Sequence, residues 1–168
     1  MNVSVRQANE HDLATVRQLC WAYRDLLAER LSTRPEVLDA YYSEAKYRQL
    51  MDALPELHAR PDGVILVAEL EGAVVGCGMT HRIDATTCEI KRVFVDASAR
   101  GAGAGKTLVQ AAMAQSQADG YTRMVLDTII WLPEAARLYE WMGFVPTAPY
   151  YDPDPEVLDL MLFMEHPL

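Results

Sequence analysis

Three β-rich runs follow one another with only two residues between them, and this spacing limits the fold more than any other feature of the chain. The runs are GVILVAEL at 63–70, AVVGCGMTHRI at 73–83 and TTCEIKRVFV at 86–95. Glu71-Gly72 and Asp84-Ala85 join them, and connections this short are those of hairpins. The sequence therefore predicts an antiparallel meander of three strands.

The segments that follow predict one parallel strand pair inside the sheet. A helix is indicated over 103–119, ended by Gly120, and TRMVLDT at 122–128 is a further apolar strand. A strand, a crossover helix and a second strand form a parallel pair with a right-handed connection. The other predicted elements are a strand at 3–8, a helix at 10–31 that starts after Asn9, a helical stretch that Pro35 opens and Pro55 interrupts, a helix at 133–142 that Gly143 ends, and closing strands at 144–146 and 157–165. The fold class is therefore α+β, a mixed and mostly antiparallel sheet flanked by helices, in a single domain over 1–168.

Charge and composition argue against several classes of function. Lys and Arg number 15 against 24 Asp and Glu, a net charge of −9, so we expect no binding to nucleic acid or to a membrane surface. The N-terminus has no basic segment followed by an apolar run, and no apolar stretch is long enough to span a bilayer, which predicts a cytoplasmic protein. Cys20, Cys77 and Cys88 lack metal-ligand spacing and are expected to be reduced thiols, with no metal site.

The glycine-rich segment ARGAGAGKTLV at 99–109 is the most informative motif, and three patterns compete for it. A Walker A loop aligned on Gly105-Lys106-Thr107 needs glycine at 100, where this chain has Arg100. The dinucleotide pattern Gly-x-Gly-x-x-Gly fails at its third glycine from either possible start. The pattern Arg/Gln-x-x-Gly-x-Gly/Ala is met without a gap by Arg100, Gly103 and Gly105.

That third pattern, with EIKRVFV before it and AARLYEWMGFVP after it, resembles the GNAT superfamily of acyl-CoA N-acyltransferases. The order of predicted elements is similar over nearly the whole chain, and the ending PYYDPDPEVLDLMLFME resembles a bacterial subgroup of small acetyltransferases. The resemblance implies a central parallel strand pair that splays apart to leave a cleft for the thioester. It also implies acetyl-CoA as co-substrate and direct transfer to an amine, in an enzyme that often forms homodimers.

The same segment is physically suited to bind a pyrophosphate. Alternating Gly and Ala leave the backbone N–H groups open, and the positive end of a helix dipole lies behind them. Arg100 and Lys106 add positive charge to an acidic protein. In the family, the central strand also pairs its backbone with the pantetheine arm. The cofactor-binding residues predicted on these grounds are Val93, Phe94, Val95, Arg100, Gly101, Ala102, Gly103, Ala104, Gly105 and Lys106.

Two residues are candidates for proton transfer. Tyr139 stands at the tyrosine position of the family's late helix, which implies that its hydroxyl protonates the leaving CoA thiolate. Glu89 lies four residues before Val93, the offset at which histone-type members place a general-base glutamate. We expect partial burial to raise the pKa of Glu89. Two alternatives stay open, a plain surface pair of Glu89 with Lys91 and a base role for His81.

The sequence thus predicts a cytoplasmic N-acetyltransferase that moves the acetyl group of acetyl-CoA to a primary amine of a small molecule, amino-acid derivative or peptide. The alternatives are a CoA-binding regulatory module of the same fold and a nucleotide-binding protein. Aromatic side chains attract ammonium groups, so the tyrosines of the first two helices and the closing hairpin are candidates for an amine pocket or for plain packing. They are Tyr41, Tyr42, Tyr47, Tyr150 and Tyr151.

Overall fold

The sheet of this protein has seven strands in the order β1-β2-β3-β4-β5-β7-β6, in a computed structural model that describes residues 2–168. Only β4 and β5 run parallel among the paired strands of that range, and every other pair is antiparallel. The predicted meander and the predicted parallel pair are both confirmed. The strands are β1 Val3–Gln7, β2 Val64–Leu70, β3 Ala73–Arg82, β4 Thr87–Val95, β5 Arg123–Ile129, β6 Val145–Pro146 and β7 Met161–Pro167.

Helices cover both faces of this sheet. The first begins where the sequence indicates, because the side chain of Asn9 accepts from His11 N at 2.9 Å and Asp12 accepts from Asn9 N at 2.7 Å. None of the helices formed by residues 2–168 combines the length and the apolarity that crossing a membrane requires. The helices are α1 Leu13–Arg30, α2 Pro35–Tyr42, α3 Glu44–Leu57, α4 Ala104–Ala118 and α5 Pro133–Trp141, with short 3₁₀ turns at Glu10–Asp12, Ala97–Ala99 and Leu158–Leu160.

The second helical stretch corrects the sequence prediction. It breaks at Ser43, whose backbone is extended, while Pro55 lies inside α3 without ending it. A proline removes the N–H that would bind the carbonyl four residues earlier, here that of Met51. Arg17 of α1 donates its Nε–H to that carbonyl at 3.0 Å, so a tertiary hydrogen bond replaces the missing helical one.

The closing strand is also shorter and later than predicted. Leu158–Leu160 forms a 3₁₀ turn, and β7 starts only at Met161. Its partner β6 is limited to two residues, which pair with Glu165 and Met164. The apolar run over 157–165 is therefore divided between a turn that packs against α1 and α2 and a strand that pairs with β5.

Two apolar layers lie on opposite faces of the sheet. On β2, Val64 and Leu66 pack in the layer that holds α4, whereas Ile65 and Val67 pack in the layer that holds α1 and α3. This alternation is the period of two expected of a strand that is buried on both faces. The core of the molecule is thus a helix–sheet–helix sandwich, and its central seam is the β4–β5 pair.

The β4–β5 pair separates soon after it forms. Its register holds for Thr87↔Arg123, Cys88↔Met124 and Glu89↔Val125, and no further residues of the two strands pair. On the other side of β4, the register with β3 shifts between Cys77 and Met79. Arg92 sits in this irregular stretch with φ 52°, a left-handed conformation that is uncommon for a residue other than glycine. The predicted splay is therefore present, and a bulge lies beside it.

Candidate active site

A cavity of about 680 Å³ opens between the end of β4, the glycine-rich loop and α5. We call it the cofactor cavity. Tyr139 lines it together with every residue predicted to bind the cofactor except Ala102. The structure thus brings the loop, the central strand and the predicted acid to one site, although they are far apart in the chain.

The glycine-rich loop leaves its backbone open toward this cavity. Gly101 and Gly103 have φ values of 84° and 83°, and a Cβ placed on either would meet no other group within 4 Å. Ala104, Gly105 and Lys106 form the first turn of α4, so their N–H groups have no carbonyl one turn back within the helix. Unpaired N–H groups at a helix N-terminus, next to an open and side-chain-free loop, fit a pyrophosphate.

Charged side chains around the loop favour the binding of an anion there, although the protein as a whole carries a net negative charge. Arg100 and Lys106 both line the cofactor cavity, and Lys106 Nζ lies 4.5 Å from the centre of the Trp141 ring. The carboxylate that also lines the cavity, Glu134, binds Arg30 with Nη2 and Oε1 2.7 Å apart. Its negative charge is therefore matched by a cation from α1.

A smaller cavity of about 40 Å³ occupies the opening between β4 and β5, and we call it the splay cavity. Lys91, Arg92 and Val93 line it from β4, and Asp127 and Thr128 line it from β5. The splay cavity adjoins the cofactor cavity, because one group of side chains lines both of them. That group is Tyr23, Val93, Leu132, Ala135 and Tyr139.

Tyr139 stands where these two cavities meet. The residue is 8% exposed, and its ring packs edge-on to Phe144 with centroids 5.7 Å apart. Burial raises the pKa of its hydroxyl above the ordinary range, and the negative charge of Asp127 raises it further. The hydroxyl is therefore protonated at neutral pH and available as a proton donor.

Glu89 is held in a buried network of three donors. His81 Nε2 lies 2.6 Å from its Oε1, Lys91 Nζ lies 3.2 Å from the same oxygen, and the Tyr150 hydroxyl donates to Oε2. Burial alone would raise the pKa of Glu89, but the hydrogen bond from His81, the charge of Lys91 and the hydrogen bond from Tyr150 together lower it to about 2. The expectation of a raised pKa is wrong, because the sequence does not show how many donors the fold brings to this carboxylate.

Lys91 forms the pair with Glu89 that strand alternation suggests, but inside the site rather than on the surface. Burial lowers the pKa of Lys91, but the charges of Asp127 and Glu89 outweigh this effect and leave the pKa raised. Asp127 lies 4.0 Å from the Lys91 ammonium. The splay cavity is therefore bordered by fixed charges of both signs.

Comparisons with known proteins agree with this geometry. The acetyltransferase (GNAT) family matches residues 25–144. The chain belongs to the GNAT family. An IAA acetyltransferase of Azospirillum brasilense is 35% identical over 139 residues, which are 79% of this chain and 87% of that protein.

Two further proteins are similar to different shares of this GNAT chain. An uncharacterized N-acetyltransferase of Schizosaccharomyces pombe is 41% identical over 107 residues, 62% of this chain, and the chain spans just under two thirds of its length, 66%. A putative acetyltransferase of Salmonella typhimurium, solved with its cofactor acetyl-CoA, superposes with a TM-score of 0.67 at 20% identity and covers 99% of this chain and 94% of its own.

The family also confirms the class of enzyme predicted from the sequence. The protein is an acetyl-CoA-dependent N-acetyltransferase, and acetyl-CoA is its co-substrate. The cofactor cavity is of the right kind for that molecule, since it joins an anion-binding loop to an open strand and to a buried phenol.

Three further residues lie in or beside this GNAT site, and sequence reasoning gave none of them a defined role. Asp127 lines the splay cavity, and its only signal was its place at the end of the strand after the crossover helix. Arg92 is 7% exposed, and its Nη1 lies 3.4 Å from Nε2 of His58. His58 closes α3 and contacts the ring of His81 at 5.6 Å, and burial lowers its pKa to about 4. The sequence offers Arg92 only as a further positive charge for the glycine-rich loop, and no local pattern marks His58, because the contact between them joins α3 to the sheet.

The tyrosines that the sequence offers for an amine pocket or for plain packing lie in different surroundings. Tyr47 is a core residue whose hydroxyl donates to the Cys20 carbonyl at 2.6 Å. Tyr150 and Tyr151 reach the site from the loop before β7, where their hydroxyls bind Glu89 and Asp127. Tyr41 and Tyr42 line a pocket between α1, α2 and β5, and Tyr42 also lines the splay cavity.

Proposed function

We propose that this GNAT enzyme transfers the acetyl group of acetyl-CoA directly to a primary amine of a small molecule, an amino-acid derivative or a peptide. The observation that carries the proposal is the continuous lining from the glycine-rich loop to the splay cavity, with Tyr139 at the junction. A donor held along this line has its thioester beside the opening between β4 and β5. An acceptor then enters that opening from the side of α1 and α2.

The loop and β4 hold the donor in this proposal. Arg100, Lys106 and the backbone of 101–105 bind the pyrophosphate, as the open N–H groups and local positive charge favour. The backbone of 93–95 pairs with the pantetheine arm, because β4 has lost its β5 partner at this level. Both contacts use main-chain donors and acceptors, so the identity of most side chains matters little there.

Tyr139 is the general acid of the proposed reaction. The amine nitrogen attacks the thioester carbonyl carbon, the C–S bond breaks, and the thiolate takes the proton of the Tyr139 hydroxyl. The raised pKa of Tyr139 keeps that proton on the oxygen, so the hydroxyl is present as a donor when the thiolate forms beside it. The tyrosinate is reprotonated from water before the next cycle.

His81, supported by Glu89, receives the proton that the amine loses. A carboxyl group with a pKa of about 2 stays ionised, so Glu89 does not retain a proton by itself at neutral pH. His81 Nε2 lies 2.6 Å from Oε1 of Glu89, within hydrogen-bond reach of that carboxylate. In the proposal His81 carries the proton, and the Glu89 carboxylate stabilises the imidazolium and fixes its orientation.

A thiol-release assay with acetyl-CoA and a broad panel of amines tests the activity. We expect release of CoA that depends on a primary amine. Binding of acetyl-CoA with no release for any amine contradicts the enzyme activity and supports a CoA-binding module instead.

Replacing Tyr139 by Phe tests the acid. General acid catalysis contributes about 10²–10⁴ to a rate, so we expect kcat to fall by at least about tenfold while the affinity for acetyl-CoA is unchanged. Tyr121→Phe is the matched control, since Tyr121 is also buried and its hydroxyl donates to the Asp62 carbonyl at 2.8 Å, outside the site. An unaltered kcat in Tyr139→Phe removes Tyr139 from the role.

A further inference from the structure

A third pocket adjoins the splay cavity on the side of α2. It has a volume of about 60 Å³ and lies between α1, α2 and β5, and we call it the α1–α2 pocket. Four of its residues also line the splay cavity, so the two spaces are neighbours around the same side chains. These four are Tyr23, Tyr42, Asp127 and Thr128.

The wall of the α1–α2 pocket is apolar and aromatic. Leu27, Leu31 and Leu38 belong to the buried cluster that joins α1 and α2 to the end of β5, and Tyr41 closes the pocket beside them. Within the part of the chain that the structure describes, Asp127 is the one charged residue that lines this pocket. The pocket therefore offers one carboxylate, and the rest of its lining consists of uncharged side chains, most of them aliphatic or aromatic.

Asp127 has room for one more hydrogen-bond donor. Its Oδ2 accepts from the Tyr151 hydroxyl at 2.6 Å, whereas its Oδ1 has only the Lys91 ammonium at 4.0 Å. That ammonium lies closer to Glu89, at 3.2 Å. A carboxylate has about four lone-pair sites, and its side chain is only 20% exposed here, so a cation at Oδ1 would replace lost contact with water.

We propose that Asp127 binds the ammonium group of the acceptor, and that the acceptor is a monoamine with a short apolar body that fills the α1–α2 pocket. Asp127 is the specificity-determining residue in this assignment, and it aligns the acceptor nitrogen at the opening between β4 and β5. The neighbouring rings of Tyr23 and Tyr42 add attraction for a cation. The inference rests on the proposed amine acetylation and names its class of acceptor.

Direct binding tests the class of acceptor without any need for turnover. Wild-type enzyme with CoA bound is titrated by NMR with n-butylamine, 1-butanol and 1,4-diaminobutane, which share one carbon chain. We expect n-butylamine to bind at least tenfold more tightly than either analogue, because the alcohol lacks the charge and the diamine places a second cation among lining residues that carry no second negative charge. Equal binding of the alcohol overturns the role of Asp127, and equal binding of the diamine overturns the apolar pocket.

Asp127→Asn tests the residue itself. Asparagine keeps the shape and an acceptor for Tyr151 but removes the charge, so we expect the KM for n-butylamine to rise at least tenfold while the KM for acetyl-CoA stays within twofold. Asp52→Asn, an exposed position on α3, is the matched control. Unchanged amine KM in Asp127→Asn overturns this inference alone. Tight amine binding by a wild-type enzyme that releases no CoA would instead contradict the proposed function and leave the binding role supported.

Discussion

At the scale of single residues, Glu89 shows how the charge of a group depends on partners from distant parts of the chain. Its three donors come from β3, from β4 and from the loop before β7. Removing a carboxylate from water costs free energy, and here three donors more than repay that cost. The result is an anion inside the site rather than a neutral carboxylic acid.

The lowered pKa of Glu89 predicts a dependence of stability on pH. The group titrates near 4.5 ordinarily and near 2 in the fold, so its contribution is present above about pH 5 and is lost as the pH falls toward 2. A shift of this size corresponds to up to about 3 kcal/mol of unfolding free energy. We expect Glu89→Gln to show a smaller loss of stability than wild type between pH 5 and pH 2, measured by chemical denaturation at each pH.

An exposed glutamate supplies the control for that measurement. Glu44 pairs with Arg48 on the surface of α3, and its side chain is 70% exposed. Glu44→Gln should follow the wild-type curve over the same pH range. Parallel curves for Glu89→Gln and wild type would show that the network does not hold the carboxylate as an anion.

At the scale of elements, the glycine-rich loop owes its shape to residues that can take a positive φ. Gly103 has φ 83° immediately before α4, and Gly72 has nearly the same value, 82°, in the hairpin between β2 and β3. A side chain at either position meets no atoms but strains the backbone to a similar degree. The two glycines differ in that only Gly103 lines the cofactor cavity.

Gly103→Asp therefore separates ligand binding from backbone strain. It places a carboxylate where the pyrophosphate is proposed to lie, and we expect the affinity for acetyl-CoA to fall at least about a hundredfold, in line with the 1–3 kcal/mol or more of an unfavourable buried polar contact. Gly72→Asp should lose a similar amount of stability and keep its affinity. Calorimetric titration of both variants checks this, and equal affinities would remove the loop from the binding site.

The elements predicted correctly are those whose signals are local. Two-residue connections at Glu71-Gly72 and Asp84-Ala85 define the meander, and the crossover helix defines the parallel pair. Pro55 wrongly predicts an interruption of the helix, because the hydrogen bond that compensates for the missing N–H comes from Arg17 on another helix. The proposed cofactor half of the site can be predicted from one continuous motif. The proposed acceptor half cannot, because Asp127, Tyr151 and the residues of α1 and α2 meet only in the folded chain.

At the scale of the whole molecule, a co-substrate that binds only the folded state stabilises it. At a concentration of one hundred times its Kd, a ligand adds about 2.7 kcal/mol to the free energy of unfolding. For a domain of 150–250 residues this corresponds to a rise in Tm of about 5–10 °C. We expect acetyl-CoA to produce such a shift in a thermal denaturation assay.

ATP at the same concentration is the comparison ligand for this measurement. The chain has Arg100 where a nucleotide-hydrolysing loop needs its first glycine, so we expect a clearly smaller shift with ATP. A larger shift with ATP than with acetyl-CoA would contradict the assignment of the cofactor cavity.

The early end of the β4–β5 pairing also bears on how the protein avoids aggregation. Strand edges with free N–H and C=O groups usually lie at the rim of a sheet, where they can recruit other chains into intermolecular sheets. Here the separation after Glu89 and Val125 creates such edges in the interior, beside α1 and α5. Another folded chain cannot reach them, whereas a thin, extended molecule with amide groups can. The unpaired backbone of β4 and β5 is therefore kept away from the rim of the sheet, where such edges recruit other chains.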